Sequence, residues 1–116
     1  MGEIEELTRS LVAVEVGDDY GEEETGDTVE SWLRRETDAS VRRDSVGNVI
    51  ARKGYGDGDG SVALVGHHDV VPPDESQTED GSFIVEKRDG RLYGRGTADM
   101  KGSLAAAMLG FRDADP

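Results

Sequence analysis

The sequence predicts an α/β fold, and three patterns lead to that class. Apolar residues recur at helical spacing in three segments, two before residue 40 and one near residue 110. Short runs rich in β-branched residues, bounded by glycine and aspartate, lie between them and are typical of strands. The continuous apolar run 62–65 has the composition of a strand buried on both faces. We therefore expect one domain in which helices flank a mixed sheet in a three-layer arrangement.

Two helices are predicted in the first third of the chain. The first is indicated by four apolar residues at intervals of three or four, namely Ile4, Leu7, Leu11 and Val14. Residues 15–26 are polar and punctuated by glycine, so they predict a loop. The second helix is expected over residues 28–36, where Val29, Trp32 and Leu33 form a narrow apolar stripe.

Turn signals predict two hairpins and an exposed turn between them. The four strands expected are Val41–Asp44, Asn48–Lys53, Phe83–Arg88 and Arg91–Tyr93. Their turns fall at residues 46–48 and at Asp89-Gly90. Residues 54–60 contain four glycines and two aspartates and predict a turn. An EF-hand is excluded there because its glutamate and flanking helices are missing.

The last segments are predicted to be a loop and a helix. Residues 72–82 are polar and indicate another loop. A final helix is expected from about Met100, with apolar residues on one face and alanines at 105–107 that raise helix propensity. These elements complete the alternation of helices and strands on which the α/β prediction depends.

The composition excludes several classes of function. Because 26 acidic residues stand against 13 basic ones, the formal net charge of −13 disfavours binding to nucleic acid or to an anionic membrane surface. We interpret this acidity as a property of a soluble surface. The sequence has no cysteine, so a tightly bound metal must be held by His, Asp and Glu. A cytoplasmic location is the simplest expectation.

The only two histidines are adjacent and follow the apolar run 62–65 directly. Neighbouring side chains of an extended segment point to opposite faces, so His67 and Asp69 are expected on one side and His68 on the other. A carboxylate beside a ligating imidazole fixes its orientation and raises its basicity. Alone, however, a His-x-Asp triplet is a weak signal, since such a histidine is usually an ordinary surface residue.

A second motif surrounds Asp99. Gly94, Gly96 and Gly102, with Arg95 between the first two, predict a tightly shaped loop just before the last helix. Capping of that helix is an alternative role for Asp99. Capping would account for neither the glycines nor Arg95. A phosphate-binding loop is excluded because the GxxxxGK[ST] spacing is absent.

Taken together, residues 66–72 and 90–102 resemble the two signature stretches of a co-catalytic zinc amidohydrolase family. This family includes succinyl-diaminopimelate desuccinylase, acetylornithine deacetylase, aminoacylase and carboxypeptidase G. The upstream pattern Asp44-x-x-Gly47-Asn48 is also similar to the family's. The resemblance extends over residues 4–112 and implies an incomplete catalytic domain of a zinc-dependent exopeptidase or deacylase.

The resemblance implies roles for individual residues. His67 matches the first histidine ligand of one metal, and Asp99 matches the carboxylate that bridges both metals. Asp69 matches the catalytic aspartate that supports the site from behind the histidine. The implied cofactor is a pair of zinc ions, with cobalt as a substitute, which activate water and polarise the carbonyl of an amide.

The other matching residues are expected to be architectural. Residues Gly94, Arg95, Gly96 and Gly102 match the motif as parts of its loop. His68 falls at the variable position of the first motif, so no catalytic role is expected for it. Phe83 fits the aromatic residue usually found between the two motifs.

The implied activity is metal-dependent hydrolysis of an amide bond in an N-acyl amino acid or small peptide. In the family, the general base, further metal ligands and a lid and dimerisation domain follow the region that this chain resembles. Residues 1–116 are therefore interpreted as the amino-terminal part of the catalytic domain and are expected to be inactive alone. The alternative is a non-catalytic metal-binding or regulatory remnant of the fold. A serine hydrolase is disfavoured, since no G-x-S-x-G elbow is present.

Overall fold

A computed structural model describes residues 2–54 and 60–114, and it confirms the α/β class. Its α-helices are α1 (Glu3–Val12), α2 (Glu22–Glu36) and α3 (Gly102–Asp113). Its strands are β1 (Ser40–Arg43), β2 (Val49–Arg52), β3 (Thr78–Glu79), β4 (Ser82–Phe83), β5 (Glu86–Arg88) and β6 (Arg91–Tyr93). The turn predicted at 54–60 lies for the most part outside the described residues.

The strands form three separate antiparallel pairs: β1 with β2, β3 with β4, and β5 with β6. The single mixed sheet that we expected is therefore not present in the part of the chain described. The prediction of a buried strand at 62–65 is wrong, since these residues form no strand, and Val62 and Val65 are 90% and 89% exposed. A strand buried on both faces needs neighbouring strands and covering helices. No described segment pairs with 62–65.

Helix α2 begins at Glu22, so the predicted loop 15–26 is too long. The Asp19 carboxylate accepts hydrogen bonds from the backbone N–H groups of Gly21 and Glu23 at 3.1 and 2.8 Å. Gly21 takes up the left-handed conformation that turns the chain into the helix. The acidic first turn also interacts favourably with the helix dipole. The first turn of α2 is polar in composition, so its sequence did not indicate that the helix begins at Glu22.

Both predicted hairpins are confirmed, although β1 is shifted by one residue and β2 and β5 are shorter than predicted. In the first, the Asp44 carboxylate accepts hydrogen bonds from the backbone of Val46 and Asn48 and from the Asn48 side chain. The Asn48 side chain, followed by these backbone groups, lowers the pKa of Asp44. In the second, Asp89 and Gly90 both have positive φ, as a two-residue type I′ turn requires.

The segment between the two hairpins contains more regular secondary structure than predicted. The expected strand Phe83–Arg88 is interrupted after Phe83, and the expected loop 72–82 contains a short 3₁₀ helix at Glu75–Gln77 followed by β3. Asp74 and Gln77 form a capping box at the start of that turn, in which the side chain of each residue accepts a hydrogen bond from the backbone N–H of the other. The sequence pattern Asp-x-x-Gln is a signal for this capping.

The hydrophobic core lies where the three α-helices and β1 meet. Its buried members are Leu7, Leu11, Val29, Trp32, Leu33, Val41, Ala105 and Met108. A second cluster joins the end of α1 to β4 through Val12, Val14 and Phe83. The predicted helical faces are thus largely correct, although Ile4 is exposed. No described helix has both the length and the apolar composition that crossing a bilayer requires.

Lys101 is a buried charge beside this core, with 1% of its surface exposed. Its Nζ donates a hydrogen bond to Thr25 Oγ1 at 3.1 Å, and that hydroxyl donates to the carbonyl of Leu11. The same ammonium lies 5.8 Å from the centre of the Phe83 ring. Burial lowers the pKa of Lys101 from 10.5 to about 8.

We expect Leu11→Ala to lower the free energy of unfolding by about 3 kcal/mol, because Leu11 is fully buried and its truncation leaves a cavity. The matched control is Ile4→Ala on the exposed part of the same helix, which should cost less than about 1 kcal/mol. Urea titration of both variants measures the difference. Equal losses would contradict the placement of α1 in the core.

Lys101 should make stability rise with pH. Between its native pKa of about 8 and the ordinary value of 10.5, the unfolded chain binds a proton that the folded chain has lost. The free energy of unfolding should therefore increase by about 2 kcal/mol between pH 7 and 9.5. Urea titrations with a chelator present would show this increase. Lys101→Met should abolish it, and the exposed control Lys87→Met should retain it.

Candidate metal centre

The structure brings His67 and Asp99 together, although they are separated by 32 positions in the sequence. The distance from His67 Nε2 to Asp99 Oδ1 is 3.0 Å. Both groups lie at the surface, where the His67 side chain is 46% exposed and the Asp99 side chain 84% exposed. An imidazole nitrogen and a carboxylate oxygen thus face each other at an open site.

Asp69 lies on the opposite edge of the same imidazole ring. His67 Nδ1 is 3.0 Å from Asp69 Oδ1 and 3.2 Å from the Asp69 carbonyl oxygen. Since both of these atoms are acceptors, Nδ1 carries a proton and its N–H donates a hydrogen bond to Asp69. Asp69 therefore fixes the ring so that Nε2 points at Asp99.

The electrostatics of the site favour positive charge between His67 and Asp99. Partial burial favours the neutral imidazole, but the hydrogen bonds to the Asp69 carbonyl and the Asp99 carboxylate, with the charges of both aspartates, outweigh it and raise the pKa of His67 above 6.5. With Nδ1 occupied, a neutral ring would direct the Nε2 lone pair at an anionic oxygen. A proton or a metal cation between the two atoms relieves this repulsion.

Two close approaches hold the segment that carries His67 against the segment that carries Asp99. A Cβ atom built at Gly96 would lie 2.5 Å from Val70 Cγ1, and one built at Gly66 would lie 2.8 Å from Met100 Cε. A side chain at Gly96 would clash with Val70, and one at Gly66 would displace the end of the Met100 side chain. The spacing of these glycines in the sequence indicates turns, but it gives no signal for the contacts with Val70 and Met100.

The loop around Asp99 is shaped by its own backbone. Gly96 has a positive φ of 88°, and its carbonyl accepts a 2.7 Å hydrogen bond from the Lys101 N–H. Thr97 donates from its backbone and its hydroxyl to the Gly94 carbonyl. A Cβ atom at Gly102 would lie 2.7 Å from the Thr97 carbonyl oxygen. These contacts account for a glycine-rich loop.

Helix capping does not account for Asp99. The short helical turn Thr97–Lys101 precedes α3, and Asp99 and Met100 within it have non-helical backbone angles. Helix α3 begins at Gly102, and no side chain caps it. The capping alternative for Asp99 is therefore wrong, and its carboxylate faces His67 instead.

Arg95 and Phe83 have structural contacts rather than contacts with the site. Arg95 Nε donates to Gln77 Oε1 at 3.2 Å and so ties the motif loop to the capped turn at Glu75–Gln77. Phe83 is buried in the second cluster with Val12 and Val14.

His68 lies on the other side of its backbone segment, as the alternation predicted. Its Nε2 lies 3.3 Å from the position of a Cβ atom at Gly26, so the imidazole packs beside α2. Burial lowers the pKa of His68, and the nearby cations Arg43 and Lys101 add to the effect. The two adjacent histidines therefore occupy different environments, and only His67 faces the aspartates.

The donor set fits a divalent cation in part. The pair supplies one imidazole nitrogen and one carboxylate oxygen, which are ligand atoms that zinc and cobalt accept. Within residues 2–54 and 60–114, no group of three or more His, Asp or Glu side chains is arranged to hold a metal ion. Catalytic zinc usually has three protein ligands, so the pair alone supplies fewer ligands than such a centre needs.

Comparison with known proteins identifies the second half of the chain. Residues 63–115 match the model of peptidase family M20/M25/M40. This match contains both motifs, and therefore all three residues His67, Asp69 and Asp99. No solved structure matches the chain.

The similar proteins are deacetylases and desuccinylases. Acetylornithine deacetylase of Photorhabdus laumondii is 34% identical over 111 residues, which cover 93% of this chain and 29% of that protein. Succinyl-diaminopimelate desuccinylase of Xylella fastidiosa is 51% identical over 67 residues, or 56% of this chain and 17% of that protein. The chain thus spans less than a third of these relatives. From both comparisons, it belongs to peptidase family M20/M25/M40.

Proposed function

We propose that this chain supplies part of the active centre of a metal-dependent amide hydrolase, with His67 and Asp99 as metal ligands and Asp69 as the residue that orients His67. The distance of 3.0 Å between His67 Nε2 and Asp99 Oδ1 carries the proposal. At this distance one side chain from each motif faces the other. Both side chains lie at the surface, where a substrate can reach them.

The chain's own residues act by holding and orienting the cation. Asp69 accepts a hydrogen bond from the Nδ1–H group and keeps the Nε2 lone pair directed towards Asp99. Because Asp99 is 84% exposed, its carboxylate has room for a second cation, which supports the bridging role that the family resemblance implies. We propose two zinc ions, with cobalt as a substitute, at the complete centre.

A cation bound here would supply positive charge that polarises an amide carbonyl and makes nearby water more acidic. The general base and the other ligands are proposed to come from sequence that corresponds to the rest of the relatives.

We propose a small acylated amino acid as the substrate, with a small peptide as the alternative. The names of the relatives indicate this chemistry, since acetylornithine and succinyl-diaminopimelate are both amides of small amino acids. Hydrolysis of either amide would release an amine and a carboxylate. A cytoplasmic location is proposed with it, in keeping with the cysteine-free sequence.

A non-catalytic, metal-binding or regulatory role is the second candidate. The observation that favours it is the incomplete donor set, because within the described residues two side chains face each other and no third ligand joins them. The first candidate and a metal-binding remnant both require His67 to bind metal, and only the first requires turnover when the rest of the catalytic domain is present.

Zinc titration of the chain by calorimetry should give a binding heat that depends on His67. His67→Ala should weaken the affinity for zinc by at least about tenfold, because it removes a ligand. Loss of an outer-shell partner, which is a smaller change, already costs about 10–100-fold. His68→Ala is the matched control and should bind zinc as the unaltered chain does, because its imidazole packs beside α2. Identical heats for the unaltered chain and His67→Ala would exclude His67 from the site.

The 116-residue chain should not hydrolyse N-acetylornithine or N-succinyl-diaminopimelate when loaded with zinc. The physical reason is that a pair of ligands holds the cation without a general base beside it. Amine release, followed with an amine-reactive dye, measures turnover against a zinc-only blank. Turnover by the chain that disappears in His67→Ala would contradict the incomplete-centre proposal.

A further inference from the structure

Met100 connects the two halves of the candidate metal centre. It directly follows Asp99 in the chain, and its side chain extends to the backbone of Gly66 and His67. The His67 backbone N–H donates a hydrogen bond to Met100 Sδ at 3.4 Å. The residue after one ligand therefore contacts the main chain of the other.

The methyl group of Met100 reinforces this contact. A Cβ atom at Gly66 would lie 2.8 Å from Met100 Cε and 3.5 Å from both Met100 Sδ and a methyl carbon of Leu104. The thioether thus occupies the space that the missing side chain of Gly66 leaves open. Methionine suits this position because its unbranched, polarisable side chain fills irregular gaps.

We propose that Met100 is a positioning residue for His67. The sulfur accepts the His67 N–H while the methyl group packs on Gly66, and this fixes the backbone from which the imidazole reaches Asp99. The proposal rests on the proposed function, since positioning matters only if His67 and Asp99 share a ligand. Met100 itself is not required to touch metal or substrate.

The chemistry of the contact separates positioning from ordinary packing. Leucine is similar to methionine in volume and apolar character, but it has no acceptor for the His67 N–H. Met108 provides a matched control because it is buried in the main core and belongs to α3. Met100→Leu and Met108→Leu therefore make the same chemical change, and only the first removes the contact with His67.

Two measurements on the 116-residue chain test the proposal. The first is NMR without metal, in which methyl-labelled methionine should show a nuclear Overhauser effect between the Met100 methyl group and the Gly66 Hα protons. Met100→Leu should shift the amide resonance of His67, and Met108→Leu should leave it in place. The second is zinc calorimetry, in which Met100→Leu should weaken affinity about tenfold, as loss of an outer-shell partner does.

Gly66→Ala provides an independent test of the same contact. The added Cβ atom should displace the Met100 side chain and weaken zinc binding to a similar extent. If both changes act through one contact, the double variant Gly66→Ala/Met100→Leu should bind no more weakly than either single variant. Fully additive losses would contradict a shared contact.

The two measurements also keep this proposal distinct from the metal site on which it rests. If the unaltered chain shows the methyl contact and the Met100→Leu amide shift but binds no zinc, the proposed function fails and the positioning contact stands. An absent Overhauser effect, or Met100→Leu with unchanged His67 amide and zinc affinity, would overturn the role of Met100.

Discussion

The convergence of His67 and Asp99 is the interaction on which the account of this chain depends. The two residues come from separate segments that contain no regular strand, so nothing in the secondary structure forces them together. Two close approaches do so instead, Val70 against Gly96 and Met100 against Gly66. Each approach involves a glycine, which has no Cβ atom. The glycines of the motifs therefore allow the two segments to lie close together, in addition to forming turns.

Lys101 connects this site to the helices of the core. Its backbone N–H closes the turn onto Gly96, and its buried ammonium reaches Thr25 in α2. A single residue thus links the loop of Asp99 to the helix that supports the hydrophobic core. Burying an ammonium with one hydrogen-bond partner is costly, as its lowered pKa indicates. Burial of Lys101 thus lowers the stability of the fold at the residue that connects the Asp99 loop to α2.

Local sequence signals predicted most of the fold, and the errors arise where the structure depends on contacts between residues distant in the sequence. The hairpins followed from turn residues such as Asp89-Gly90, and α1 and α3 followed from apolar spacing, since both signals lie within one element. The strand at 62–65 was wrong because a strand needs partners that composition cannot identify. For the site, the motifs indicated His67, Asp69 and Asp99, but no spacing rule could show that Met100 packs on Gly66.

We propose that zinc replaces a proton between His67 Nε2 and Asp99. Nitrogen-15 NMR of the His67 ring, recorded before and after addition of zinc, measures this most directly. The account predicts that Nδ1 stays protonated towards Asp69 in both states, while the resonance of Nε2 moves when zinc is added. A zinc-induced shift at Nδ1 or at His68, with Nε2 of His67 unchanged, would contradict it.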